Sequence, residues 1–275
     1  MSYFEQNIPK LKKSYCAFLD VLGFSELILE SSVSDVAEEE FFQNYYAVAK
    51  KQLEELSTVA KDSSDFVHMK VFTDNIVLAI PWFSEEGESE LGYIIDAIKQ
   101  YQLSMALNGY FVRGGISIGK LFIDDLTIFG PALLDSYHLE SKVANDPKVI
   151  ISGEFLGVIR GHTHYYANPE SCPQNGDIII DSDGNGFINY LDETIIQGDE
   201  WYVDWAVLEQ HKIKITEAIE KHKGNAKVWY KYHWLCTYHN YFCSQVSHYA
   251  GYSDEYLVPD SVLQRRLERV VEINL

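Results

Sequence analysis

Basic residues are scarce in this chain. Lys and Arg number 22 against 41 Asp and Glu, a formal charge of −19. A general nucleic-acid binder needs a basic face that releases counterions, and this balance argues against one. An anionic small molecule stays open, because a bound metal and a few cations invert the field locally. Cysteine is also sparse: Cys16, Cys172, Cys236 and Cys243 form no CxxC pair and follow no disulfide-framework spacing. A reduced cytosolic chain is the plain reading. The opening MSYFEQNIPKLKK has no hydrophobic signal core, and no run approaches about 18 uninterrupted apolar residues. A soluble, cytoplasmic protein is expected, with neither membrane nor nucleic acid among its partners.

What is abundant is core-forming material. Hydrophobic residues make up 47% of the chain and aromatics 14%, including 19 Tyr, which excludes global disorder. Residues 14–22 read as an apolar strand ending on Asp20, with Gly23 allowing a sharp exit and Ser25 as N-cap of a helix from Glu26. Helical spacing then runs from Ala37 to Ala60. Residues 70–80, KVFTDNIVLAI, read as two short strands joined at Thr73-Asp74-Asn75, which puts Asp74 at a hairpin tip. A helix over Glu90–Leu107 follows the acidic loop Ser84–Ser89. Residues 109–124 read as a strand that turns at Gly119 and returns. Gly130-Pro131 precedes a helix from Ala132 to Val143, and Lys148–Ser152 is a strand again.

This order of elements predicts an α+β fold, an antiparallel or mixed sheet with helices on one face. After about residue 160 the chain changes character. A hairpin over Asp177–Leu191 precedes long helices at 203–223 and 226–248 and a short one from Ser261. Three segments are expected: an N-terminal piece (1–13), a catalytic domain (14–160) and a helical extension with a β-hairpin (161–275) packed on the core. The first functional expectation is that Asp20 and Asp74 meet on adjacent strands and hold divalent metal, since hard cations take oxygen donors.

Several segments together carry a family resemblance. FLDVLGFSELI resembles the first metal-binding motif of class III nucleotidyl cyclases, where a strand ends in an acid before a Gly-Phe-Ser turn into a helix. KVFTDNIVLAI resembles that family's Lys-x-x-x-Asp hairpin, VRGGISIGKLF its Arg-x-Gly-Ile strand, FGPALLDSYHLES its Gly-Pro helix opening, and PKVIIS the strand after it. They stand in family order over about 140 residues. The compact first two motifs, together with KYHWLCTYHNYFC (Lys231–Cys243), resemble the pyrimidine cyclases of bacterial Pycsar anti-phage systems.

The resemblance implies a ferredoxin-like cyclase core and a lyase that closes UTP or CTP to cyclic UMP or cyclic CMP with release of pyrophosphate. It implies two divalent ions (Mn2+ or Mg2+) per site, held by Asp20, Asp74 and the Val21 carbonyl, as a clamp on an in-line displacement. Amides of Leu22, Gly23, Phe24 and Ser25 at a helix N-terminus are expected to cradle phosphates, with Arg113 as a guanidinium contact. Lys70 and Thr127 match base-reading positions, and Tyr45 or Tyr46 could narrow the pocket for a pyrimidine. The site is expected to be shared across a head-to-tail homodimer, one protomer giving Asp20 and Asp74 and the other Lys70 and Thr127. The product is expected to act on a separate effector protein after phage infection.

Leu134 and His138 stand where many class III cyclases carry an Asn and an Arg that stabilise the transition state. That departure keeps an inactive nucleotide-binding regulator open as an alternative, and the Lys70 and Thr127 pair keeps a purine cyclase open. Two further patterns read as structural. Asp181–Asp192 fits a calcium loop at several positions, but its flanks are strands and Asp-Gly-Asn-Gly is a hairpin turn. His233, Cys236, His239 and Cys243 lie on one helix, which cannot wrap a tetrahedral ion.

Overall fold

The computed structural model describes residues 3–62, 67–259 and 266–270, and the statements below concern these residues. The short helix expected from Ser261 lies outside them. The chain opens with a small hairpin, β1 (Phe4–Glu5) and β2 (Ile8–Pro9), and then the long strand β3 (Lys12–Val21). Helices α1 (Phe24–Ser31), α2 (Asp35–Phe41) and α3 (Ala47–Asp62) follow, with a π-turn over Phe42–Tyr46 joining α2 to α3. The hairpin β4 (His68–Phe72) and β5 (Asn75–Pro81) leads to α4 (Glu88–Leu107), β6 (Val112–Ile123) and β7 (Ile128–Phe129). Next, α5 (Pro131–His138) runs through a second π-turn, Leu139–Val143, towards β8 (Val149–Ile151) and α6 (Gly153–Thr163). The remainder comprises α7 (Gln174–Asp177), β9 (Ile178–Ile180), β10 (Gly186–Ile188), β11 (Ile195–Gln197), β12 (Trp201–Val203), α8 (Trp205–His222), α9 (Ala226–Gln245) and β13 (Glu268–Arg269).

The fold is α+β. One sheet runs in the order β13-β9-β10-β8-β6-β3-β5-β4, with β7 paired to β6. Only β6 and β8 are parallel neighbours within it. Its centre is β3, whose Tyr15, Ala17, Leu19 and Val21 pack with Ile94, Ile98 and Met105 of α4 and Phe155 and Ile159 of α6. The other face of β3 is covered as well. Cys16, Val77 and Ala79 pack with Ala132 of α5. Helices therefore lie on both faces and not on one as expected, which explains why β3 and β5 read as nearly continuous apolar runs. Burial on both faces also locks the register, because a one-residue slip would move every side chain to the wrong face.

Several local expectations are revised. Residues 112–123 form one strand with no turn at Gly119; the chain reverses only after Ile123. The glycines of this strand serve close approach instead. A Cβ on Gly115 would lie 2.4 Å from both Leu139 Cβ and the Ser136 carbonyl oxygen. Gly115→Ala is therefore expected to push α5 off the sheet and destabilise the protein by about 1–3 kcal/mol. A urea-melting midpoint equal to wild type would contradict that packing. The cap of α1 is Gly23, at φ +83°, while Ser25 lies inside the first turn. The hairpin β9–β10 joins the main sheet through Phe187 opposite Ile150 of β8. The C-terminal part thus continues the sheet, and α8 and α9 pack over it around Phe111, Phe187, Trp234 and Tyr238.

Candidate active site

The sheet register brings the acids together. Asp20, next to last in β3, sits opposite Arg113 of β6. Arg113, expected to contact phosphate, is engaged by carboxylates instead: its Nε donates to Asp20 Oδ2 at 2.9 Å, and its Nη2 lies 2.7 Å from Glu140 Oε1. Glu140 comes from the π-turn after α5 and is 4% exposed. The motifs did not single it out. Its signal is spacing: Ala132, Ser136 and Glu140 recur every four residues along the buried side of that helix.

Asp74 occupies the β4–β5 turn as expected. Thr73 takes the left-handed φ of +58° that a two-residue hairpin loop requires. The Thr73 hydroxyl donates to Asp74 Oδ1 at 3.0 Å, and Asn75 Nδ2 reaches the same oxygen at 3.4 Å. Burial, then the facing Asp20 carboxylate, pushes the Asp74 carboxyl up to about 6. Glu140 is raised too, first by burial, with Arg113 opposing and Asp20 and Asp74 adding. Asp20 and Glu140 thus share one guanidinium, with the Asp74 carboxyl facing Asp20.

That charge excess suits a divalent cation, and oxygen is the donor such ions prefer. Arg113 holds both Asp20 and Glu140, and Asp74 faces Asp20 from the hairpin tip, so Asp20 and Asp74 are the carboxylates at the two adjoining strand ends. No group of three or more His, Cys, Asp or Glu side chains is poised around a metal among the described residues. Two ions here would depend on Val21, water and substrate oxygens for their other ligands. The sign of the pH effect follows from the Asp74 shift. A carboxyl raised in the fold contributes stability below its unfolded value, and that stability is lost as pH rises through about 6. Asp74→Asn is therefore expected to melt higher than wild type in chelator at pH 7.5, with the gap closing towards pH 4. A gap independent of pH would contradict the carboxylate pairing.

The phosphate cradle is narrower than the sequence suggested. Leu22 N donates to the Phe111 carbonyl at 2.9 Å, so its amide is already committed. The amides of Gly23, Phe24 and Ser25, at the start of α1, find no backbone acceptor among the described residues. The Tyr pair divides. Tyr45 is buried against Phe24, Phe41 and Tyr110. Tyr46 is 48% exposed, and both tyrosines line a cavity of about 330 Å3 with Val71, Thr73, Asp74 and Tyr101.

Lys70 and Thr127 also come together, at a different place. Lys70 Nζ donates to the Asp125 carbonyl. Thr127 Oγ1 donates to Asp124 Oδ1 at 3.1 Å within the same β6–β7 turn. A neighbouring cavity of about 660 Å3 is lined by Tyr3, Met69, Lys70, Asp124 and Leu126. Leu134 and His138 lie on the exposed side of α5.

Asp181 Oδ1 accepts the Asp183 and Asn185 amides at 2.9 Å each, and its Oδ2 accepts from Lys148 at 2.8 Å. His239 is 2.9 Å from His211 in a buried chain that also includes Tyr190, and desolvation drives both histidines down. No helix among the described residues is long and apolar enough to cross a membrane.

No protein-family model matches the sequence, and no curated protein does. Solved structures similar to the chain include the adenylyl cyclase CyaB from P. aeruginosa, with 17% identity and a TM-score of 0.46 over 66% of this chain and 95% of that one. Another is the catalytic core of a rhodopsin-guanylyl cyclase with converted specificity in complex with ATPαS, with 14% identity and a TM-score of 0.43 over 65% of this chain and 96% of that one. A third is the guanylate cyclase domain of RhGC from Catenaria anguillulae in complex with GTP, with 14% identity and a TM-score of 0.42 over 65% and 97%.

Proposed function

We propose that the chain is a metal-dependent pyrimidine nucleotide cyclase converting UTP or CTP to the 3′,5′-cyclic monophosphate and pyrophosphate. The observation that carries it is the meeting of Asp20 and Asp74, from strand ends 54 residues apart, in a half-buried pair strained by like charge. Two ions bound there, Mn2+ or Mg2+, supply activation of the 3′-hydroxyl and neutralisation of the leaving charge. Asp20, Asp74 and the Val21 carbonyl hold them.

Arg113 fixes the Asp20 carboxylate from one side, and Thr73 and Asn75 fix Asp74 from the other. The amides of Gly23, Phe24 and Ser25 take phosphate oxygens, since a helix N-terminus favours negative charge. Tyr46 shelves the base beside Asp74. The pyrimidine assignment is supported by the resemblance of the FLDVLGFSEL, FTDNIV and KYHWLCTYHNYFC segments, and Tyr46 lines the cavity beside Asp74. In a head-to-tail homodimer the partner's Lys70 and Thr127 reach the base after exchanging their bonds to Asp125 and Asp124. The cyclic product signals to a separate effector in anti-phage defence.

The test is competition among equimolar ATP, GTP, CTP and UTP with Mn2+, read by mass spectrometry of the cyclic products. A pyrimidine product is expected to dominate. Dominance of cyclic AMP or cyclic GMP would overturn the base assignment and favour the purine-cyclase alternative.

A further inference from the structure

Beside the β3–α1 turn lies a cavity of about 420 Å3 whose walls come from opposite ends of the chain. Leu22 and Gly23 form one wall, and Lys214, Lys221, His222 and Lys231 of α8 and α9 stand on the others. Glu26 and Glu217 are the acids on its lining. Lysines thus outnumber acids in this cavity, in a chain whose overall charge is −19. Such local inversion focuses anions into a cleft.

The cations are not equivalent. Lys214 is paired to Glu217 at 2.8 Å, Lys221 lies 3.6 Å from Glu30, and the His222 ring stacks on Tyr232. Lys231 has no carboxylate within 4.0 Å among the described residues, although it is half-buried. Burial draws its ammonium below the ordinary lysine range, with Arg113 and Lys227 adding and Asp146 and Asp20 opposing. Lys231 shares the cavity lining with Leu22 and Gly23, the residues that follow the Asp20 strand end.

We propose that Lys231 binds the β- and γ-phosphates of the nucleoside triphosphate, so that the C-terminal helices form one wall of the phosphate site. The ammonium offers three donors on a flexible stem and suits phosphate as a point charge. The identity of the ligand as a nucleotide rests on the cyclase reading above; the polyphosphate site is testable without it.

The experiment titrates inorganic tripolyphosphate with Mn2+ into the full chain, by calorimetry, for wild type, Lys231→Gln, Lys231→Arg and Lys227→Gln. Lys231→Gln is expected to weaken binding by roughly tenfold to a hundredfold, the value of a hydrogen bond to a charged group. Lys231→Arg is expected to stay within about threefold of wild type. The exposed Lys227 is the control, and its variant should fall within about twofold. If Lys231→Gln lowers the melting temperature, Lys231→Met, which keeps the apolar stem, carries the same comparison. Unchanged tripolyphosphate affinity in a folded Lys231 variant overturns the inference, as does absence of binding to wild type. Lys231-dependent binding in a protein that cyclises no nucleotide upholds the phosphate site and defeats the cyclase reading. In turnover assays the same variant is expected to raise KM more than it lowers kcat.

Discussion

Asp74→Ala is expected to reduce ring closure by roughly a thousandfold or more while the protein remains folded. A metal clamp contributes several kcal/mol of charge stabilisation, and each 1.36 kcal/mol is tenfold in rate. The fold should tolerate the change because Asp74 sits at a hairpin tip held by Thr73 φ and by the β4–β5 pairing, neither of which needs the carboxylate. Removing it also relieves repulsion with Asp20, so stability in chelator should be equal or higher at neutral pH. Metal should then stabilise the variant less than wild type. Turnover within tenfold of wild type would remove Asp74 from the metal pair.

Arg113→Ala is expected to do the opposite to stability. The guanidinium is the one cation bonded to Asp20 and Glu140, and the side chains are 17% and 5% exposed. Breaking a buried ion pair from one side costs about 3–5 kcal/mol, because the remaining charge is left uncompensated. Partial exposure of Arg113 and Asp20 places this case nearer the lower figure. Saturating Mn2+ should restore part of the loss in Arg113→Ala, since the ion replaces some of the missing positive charge. Equal losses with metal and with chelator would show that the acids do not share a cation site. Activity should be abolished in either case, because Asp20 loses the group that orients it.

The parts legible in the sequence were those decided by neighbours in the chain. The turn at Thr73-Asp74 needs only local turn chemistry and two apolar flanks, and the structure places it where the residues indicated. The Asp20 strand and the two long C-terminal helices were legible for the same reason. Gly119 misled because a close-approach glycine and a turn glycine look alike until the crossing helix is known. Glu140 stayed hidden because its role depends on α5 crossing the sheet at Gly115. The joining of β9–β10 to β8 is a long-range pairing that alternation alone cannot assign. The cavity between Gly23 and Lys231 joins residues about 200 apart in the chain, so no local window contained it.

Cyclisation is the claim on which the rest depends, and product analysis with UTP and CTP tests it most directly. Purified chain, Mn2+ and each triphosphate should give a 3′,5′-cyclic monophosphate and an equal amount of pyrophosphate. Chelator should stop the reaction, and neither Asp20→Ala nor Asp74→Ala should support it. Metal-dependent binding of the triphosphates with no cyclic product from any of the four nucleotides would contradict the account and leave a nucleotide-binding regulator in its place.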